Sequence, residues 1–274
     1  METIEYFETQ DKGDWGDGPW QGEPDKRQWQ DKVTRLPCLM VRGPSGSWCG
    51  YVGVPPGHPA HGLHYDGITQ EAAEARRKRN GDNMKAWSAA GGPPLDQWVP
   101  PLPYLPDPPM SAYGRAVSEL YAHGGLTYAD FCSPITREEW ESFRLREPKW
   151  RSEAERFPHG DSARHLKKWA GAFDSYDRWV EIAQSTAICH VTEPGDAEPV
   201  WWFGFDCAHA GDLMPGHRSI LREIGMPEPS WASLAGSGYH EVYRTVAYVE
   251  GQCAMLAFQL QAITLLALPC PSNT

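Results

Sequence analysis

Short runs of hydrophobic residues predict strands in two parts of the chain. An apolar run from Leu36 to Arg42 and a second run from Ser47 to Val54 flank Gly43-Pro44-Ser45-Gly46, a sequence typical of a tight turn. The two runs therefore predict a β-hairpin. The aromatic run from Val200 to Phe205 predicts a further strand, because aromatic and β-branched side chains fit a pleated sheet.

Apolar residues at helical spacing are most regular between Tyr239 and Ala267. Residues four and three positions apart form one apolar stripe: Val242, Val246, Val249, Cys253, Leu256, Leu260, Ile263 and Ala267. This stripe predicts a core helix that lies across a sheet. Further helices are predicted at 70–85, at 136–146 and at 161–184; the second begins with Thr136, a cap residue followed three positions later by Glu139.

These elements predict an α+β fold with a mixed or antiparallel sheet, a long C-terminal core helix and helical or Pro-rich insertions. Residues 1–32 are acidic and mix Gly, Asp and Trp, so we interpret them as an N-terminal arm. Residues 33–274 are then a single α+β domain. Closely spaced prolines between positions 93 and 109 exclude a helix. We therefore expect insertions at about 67–118 and 137–185, the first being a candidate lid.

Charge and cysteine content narrow the class of protein. The chain of 274 residues has a formal net charge of −11, which argues against non-specific binding to nucleic acid. Only Arg76-Arg77-Lys78-Arg79 forms a dense basic run. Seven cysteines at irregular spacing, and an acidic start with no apolar stretch behind it, predict reduced thiols in the cytoplasm. No apolar run is long enough to span a membrane.

The segment that follows the predicted aromatic strand is the strongest candidate for chemistry. Asp206, Cys207, His209 and Asp212 all bind protons or metal ions, and they stand where a strand gives way to a bend. We expect Asp206, His209 and Asp212 to be catalytic. A divalent metal bound by Asp206, Cys207 and His209 is a second interpretation. The alternative is structural: a small buried cysteine beside aspartates that cap a turn.

Two more segments carry histidines beside flexible backbone or thiols. His123 precedes Gly124 and Gly125, which let the chain approach a ligand closely, and Thr127 follows. We expect His123 to be catalytic and the other three to contact substrate, although a turn beside a hydrogen-bonded histidine explains the same pattern. The pair Cys189-His190 would complete either a zinc site or a Cys–His nucleophile with Cys207 and His209, but the C-x-x-C pair of common zinc modules is absent. His190 is a further catalytic candidate.

The loop after the predicted hairpin holds three histidines, at positions 58, 61 and 64. A metal-binding turn is one interpretation, and a surface loop is the other. His58 and Asp66 are the residues that we expect to reach a pocket. The rings of Tyr51, Trp201 and Trp202 are candidates for stacking on a substrate.

Several blocks together resemble an uncharacterised protein family encoded by bacteriophages and prophages. They are WCGYVGVP from Trp48, HGGLTY from His123, ICH from Ile188 and WWFGFDCAHAGD from Trp201. The resemblance implies an accessory protein of the host bacterial cytoplasm. It also brings forward one set of polar residues from separate blocks: His123, His190, Asp206, His209 and Asp212.

These observations lead to two hypotheses of different kinds. The first is a hydrolase that acts on a nucleotide or a nucleotide-derived signal through an Asp/His site. The second is a non-catalytic protein that sequesters such a signal or inhibits a host defence protein. A structural role, with the histidines and cysteines in the core, is the remaining interpretation. The sequence does not assign the cofactor or the oligomeric state.

Overall fold

The computed structural model of the chain shows a sheet with helices packed on it, which confirms the predicted α+β class. It describes residues 2–7, 9–94, 97–103, 105–106, 108–131, 135–158, 161–186, 188, 200–217 and 242–267.

Within these residues the sheet has six strands, and every neighbouring pair is antiparallel. The strands are β1 (Ile4–Tyr6), β2 (Lys26–Gln30), β3 (Pro37–Arg42), β4 (Trp48–Val54), β5 (Tyr128–Phe131) and β6 (Trp201–Asp206). Their order across the sheet is β1-β2-β3-β4-β6-β5. The hairpin β3–β4 and the aromatic strand β6 are where the sequence predicts them.

Residues 1–32, which the sequence sets apart as an arm, contribute β1 and β2 to the sheet. The sequence pattern does not predict β2, because the residues that this strand buries completely, Lys26 and Gln28, are polar. Lys26 donates a hydrogen bond to the backbone oxygen of Gln184, 2.6 Å away. The end of the helical insertion therefore meets this edge of the sheet.

The helices are α1 (Gln70–Ala89), α2 (Ala112–Ser118), α3 (Arg137–Arg144), α4 (Glu147–Arg156), α5 (Asp161–Lys168), α6 (Tyr176–Thr186) and α7 (Val246–Ile263). Threonine hydroxyls cap three of them: Thr69 for α1, Thr136 for α3 and Thr245 for α7. Each accepts a hydrogen bond from a backbone N–H of the first turn, which the helix itself leaves without a partner. None of the helices within the described residues is long and apolar enough to cross a membrane.

The long helix α7 lies against one face of the sheet, as the apolar stripe predicts. Its residues Val249, Cys253, Leu256 and Leu260 are fully buried there. The predicted start at Tyr239 is wrong for the described part, because Val242 is extended and the Thr245 cap begins the helix. Positions 239–241 lie outside the described residues. The extended segment before α7 pairs with the bend that follows β6, through a bridge between Val242 and Asp212.

The two predicted insertions differ in how they are held. Residues 135–183 form their own aromatic core around Trp140, Phe143 and Trp179. The helical region predicted at 161–184 comprises two helices, α5 and α6, because Gly171 takes a positive φ of 78° between them. The Pro-rich segment instead runs along α1.

A buried amide fixes the Pro-rich segment to α1. The side chain of Asn83 donates to the backbone oxygen of Leu102 (3.0 Å) and accepts from its N–H (3.2 Å). Arg79 donates to the oxygen of Pro103 at 3.2 Å, and Trp87 donates to the oxygen of Pro93 at 2.7 Å. Prolines offer carbonyl acceptors but no N–H, so donors on α1 suit this segment.

Candidate functional site

The end of β6 turns sharply and brings its polar residues together. The Asp206 side chain accepts a hydrogen bond from the N–H of Ala208 at 3.1 Å, which begins the turn. The N–H of Asp212 then bonds the oxygen of His209 at 2.9 Å. Gly211 takes a φ of 97°, a conformation that glycine adopts without strain. The bend therefore depends on local turn chemistry that is visible in the sequence.

Asp212 is the buried centre of the cluster, with only 1% of its side chain exposed. Its carboxylate accepts hydrogen bonds from His123 Nε2 (2.7 Å), Arg244 Nε (2.7 Å) and the backbone N–H of His209 (3.0 Å). Burial alone would raise the pKa of Asp212, but these donors outweigh it and hold the pKa below its ordinary value. Asp212 is thus a fixed negative charge that orients three groups around it.

His123 is held from both sides. Its Nε2 faces Asp212, and its Nδ1 lies 2.8 Å from the hydroxyl of Tyr248. Because the Asp212 carboxylate only accepts hydrogen bonds, Nε2 of His123 carries a proton. The Tyr248 phenol and His123 therefore form a chain that ends at a buried carboxylate.

His209 is the more accessible imidazole, with 36% of its side chain exposed. Its ring centroid lies 5.5 Å from that of His123. The Nε2 atom is 3.6 Å from a carboxylate oxygen of Asp206, which is longer than a hydrogen bond, and it makes no hydrogen bond with the described residues. Its Nδ1 makes no hydrogen bond with any residue that the structure describes. The structure thus places two imidazoles side by side, each with a carboxylate.

Gly124 makes the close approach of His209 possible. A Cβ atom at this position would lie only 1.9 Å from Nε2 of His209. Gly124 and Gly125 also take φ values of 69° and 95°. The missing side chain at Gly124 thus leaves room for the His209 ring beside the loop that carries His123.

Two residues of the cluster, Arg244 and Tyr248, are absent from the candidates drawn from the sequence. Arg244 bonds Asp212 through Nε, and its guanidinium carbon lies 4.9 Å from the Tyr248 ring centroid. Burial raises the pKa of Tyr248, which keeps the phenol protonated. The sequence carries no local signal for either residue, because their partners Asp212 and His123 lie 32 and 125 positions away in the chain.

The structure therefore brings together His123, Asp206, His209 and Asp212 of the predicted catalytic residues. His190 lies outside the described residues, as does Cys189. Gly124 and Gly125 contact or adjoin the cluster, and Thr127 bonds the oxygen of Gly204 through its N–H at 2.9 Å.

The predicted aromatic contacts are not at the site. The side chains of Trp201 and Trp202 are 0% and 1% exposed, so their rings are core and cannot stack on a ligand. Trp201 donates from its indole N–H to the oxygen of Leu63 at 2.9 Å. Tyr51 is also buried, on the sheet face opposite α7.

His58 has a structural environment. Its Nδ1 accepts the N–H of Ala60, so Nε2 carries the proton and donates to the backbone oxygen of Leu260; both distances are 3.1 Å. This bond ties the loop after β4 to α7. Burial lowers the pKa of His58, in keeping with a neutral imidazole. With both nitrogens in use, His58 has none left for a substrate.

The structure separates the thiol of Cys207 from Asp206 and His209. Alternation along β6 turns Cys207 into the core beneath α7, where it is 1% exposed. Burial, reinforced by the charge of Asp212, raises the pKa of the Cys207 thiol well above its ordinary value. Within the described residues, no three His, Cys, Asp or Glu side chains are arranged to hold a metal ion.

Comparisons of the chain with protein-family profiles, with curated proteins and with solved structures found no match. The resemblance to a phage-encoded family therefore stays a prediction. The candidate site therefore consists of a buried His123–Asp212 pair beside a His209–Asp206 pair that solvent can reach.

Proposed function

We propose that this protein is a hydrolase of phosphate esters, acting on a nucleotide or a nucleotide-derived signal through a pair of histidines. The observation that carries the proposal is the distance of 5.5 Å between the ring centroids of His123 and His209, each beside a carboxylate. Ester hydrolysis needs one group to accept a proton from water and another to donate one to the leaving oxygen. Two adjacent imidazoles with different surroundings suit these two tasks.

His209 is the proposed general base. Its accessible ring, which lies beside Asp206, accepts a proton from the attacking water at Nδ1. The water oxygen then forms a bond to phosphorus. This assignment follows from exposure, because the ring of His209 reaches solvent more than that of His123 does.

Tyr248 and His123 form the proposed acid. In the reactive state His123 is protonated at both nitrogens, and Asp212 stabilises that charge. As the bond from phosphorus to the leaving oxygen breaks, Tyr248 donates its proton to that oxygen and receives one from Nδ1 of His123. Each turnover leaves His209 protonated and His123 neutral, and exchange with solvent restores both.

Arg244 supports phosphate as the reacting group. Asp212 uses only its Nε, and the two terminal nitrogens make no hydrogen bonds with the described residues. A guanidinium with free N–H groups suits two phosphate oxygens at once. The nucleotide part of the proposal comes from the resemblance to phage proteins.

The test is hydrolysis by purified protein of bis(p-nitrophenyl) phosphate and of cyclic nucleotides. His209→Asn should lower kcat by about 10²–10⁴-fold, since a positioned acid or base contributes that much. His61→Gln is the matched control, because His61 packs against Phe131 and Trp201, outside the cluster.

Two results would overturn the hydrolase. One is full activity in His209→Asn. The other is tight retention of a nucleotide by the wild-type protein with no turnover, which would instead support a protein that sequesters its ligand.

A further inference from the structure

A cleft of about 250 Å³ lies between α1 and the edge strand β5, and the histidine pairs are not among its lining residues. Its walls come from the first turns of α1, the loop before that helix and the residues that begin β5. The basic run noted in the sequence supplies Arg76 and Arg77 to the cleft. That run has no part in the proposed hydrolysis.

One side of the cleft is cationic and pre-arranged. Arg76 pairs with Asp66 at 3.2 Å, and Asp66 pairs with Nδ1 of His64 at 2.6 Å. His64 is only 7% exposed and its backbone is bonded within the loop. Arg76 is therefore held in place, while the neighbouring Arg77 makes no ion pair or hydrogen bond within the described part of the chain.

The other side offers an acceptor and aromatic surface. Asp130 uses one oxygen to accept the N–H of Phe131 at 2.8 Å. Tyr65 and Tyr128 are also among the residues that line the cleft. A ligand that fits must carry an anion toward the arginines and hydrogen-bond donors toward Asp130, with an apolar or aromatic part between them.

We propose that this cleft is a binding site for a nucleoside monophosphate. The phosphate would contact Arg77, because its guanidinium can bond two phosphate oxygens at once, whereas Arg76 is already paired with Asp66. Ribose hydroxyls or a base amino group would donate to Asp130, and the base would lie against a tyrosine ring. The volume of about 250 Å³ lies just below the range of about 300–1,000 Å³ for ligand pockets, so a bound nucleotide would fill the cleft and leave part of its own surface in solvent.

This proposal does not depend on the histidine pairs being catalytic. The cleft and the histidine cluster share one segment of chain, since His123 belongs to the cluster and Thr127 lines the cleft. A nucleotide in the cleft would therefore contact the loop that positions His123. Binding and hydrolysis can nevertheless be measured separately.

Isothermal titration with adenosine monophosphate tests the site, with adenosine and inorganic phosphate as partial ligands. Arg77→Gln should weaken binding of the nucleotide by about tenfold or more, because a hydrogen bond to a charged group contributes that much. Lys78→Gln is the matched control: it removes the next positive charge on the same helix, from an exposed residue that does not line the cleft. Asp130→Asn should weaken the nucleotide but not inorganic phosphate.

Further outcomes separate this site from the histidine cluster. His209→Asn should bind adenosine monophosphate as the wild type does, even if it abolishes hydrolysis. Three results would overturn the proposal: no binding to the wild type, an equal loss in Lys78→Gln, or a loss in His209→Asn with none in Arg77→Gln. The last would place the nucleotide at the histidine cluster instead.

Discussion

Two charged clusters lie on either side of one short extended segment, and they differ in what they leave open. Tyr243 and the next residue, Arg244, point in opposite directions. The Tyr243 hydroxyl donates to Glu23 and accepts from Arg42 at 2.8 Å, whereas Arg244 bonds Asp212. The two clusters thus use similar residue types, and adjacent residues of the chain belong to one and to the other.

The Arg42 cluster is closed. The side chains of Arg42 and Asp25 are both 0% exposed, and the Arg42 guanidinium stacks 4.0 Å from the Trp48 ring centroid. Glu23 also accepts the N–H of Val246 at the start of α7. This cluster joins the N-terminal strands to α7, and its nitrogens and oxygens are turned toward one another.

The histidine cluster is open. It has the same kind of buried carboxylate at its centre, but His209 and the terminal nitrogens of Arg244 reach beyond it. A buried carboxylate is therefore no mark of a site by itself. What separates the two clusters is whether polar atoms remain for a ligand, and the following variants test that difference.

Loss of Arg42 should have the largest effect on stability. Arg42→Met removes the buried cation that Asp25 and Glu23 share, although Asp25 keeps its pair with Lys12 at 2.8 Å. The free energy of unfolding should therefore fall by about 3 kcal/mol, the lower end of the range for a broken buried pair. Urea denaturation measures this. Arg151→Met is the control: it breaks an exposed pair with Glu147 on α4 and should cost about 0.5 kcal/mol or less. Equal losses in the two variants would show that the Arg42 cluster is not structural.

Displacing His209 through its neighbour should affect activity more than stability. In Gly124→Ala the new Cβ would collide with the His209 ring, and misplacement of a catalytic group by about 1 Å can cost about 10²-fold in rate. Gly125→Ala has a similar positive φ but open space around its Cβ. Both variants should lose about 1–2 kcal/mol of stability. Only Gly124→Ala should lose hydrolysis of the phosphate ester, and equal activities would remove His209 from the mechanism.

The smallest effect concerns His58, an imidazole in a closed arrangement. Its lowered pKa means that the unfolded chain takes up a proton near pH 6.5 while the folded protein does not. The stability that neutral His58 contributes is complete above that pH and is lost as the pH falls toward the folded pKa. Protonation removes the bond from Ala60, about 1 kcal/mol.

Urea midpoints at pH 8 and pH 5 measure this contribution. The advantage of the wild type over His58→Gln should shrink at pH 5. A difference that stays constant with pH would show that His58 is not held neutral in the folded protein.

The elements that the sequence predicted share a local cause. The hairpin β3–β4 follows from apolar runs around a Gly-Pro-Ser-Gly turn, and α3 begins at Thr136 because its hydroxyl bonds the N–H of Glu139. The strand β2 escaped prediction because the residues that it buries, Lys26 and Gln28, are charged or amidic, and β1 is a strand of three residues with none buried. The burial of such polar residues depends on partners far away in the chain, as Lys26 and Gln184 show.

The sequence by itself determined the α+β class, the core face of α7 and the bend after β6, because each depends on periodicity or turn chemistry within a few residues. It also placed His123, His209 and Asp212 among the candidates through their local setting. Only the tertiary structure decided that Asp212 binds His123 and Arg244, and that Cys207 faces the core. Those outcomes depend on strand pairing and on the docking of α7, which bring together residues more than thirty positions apart.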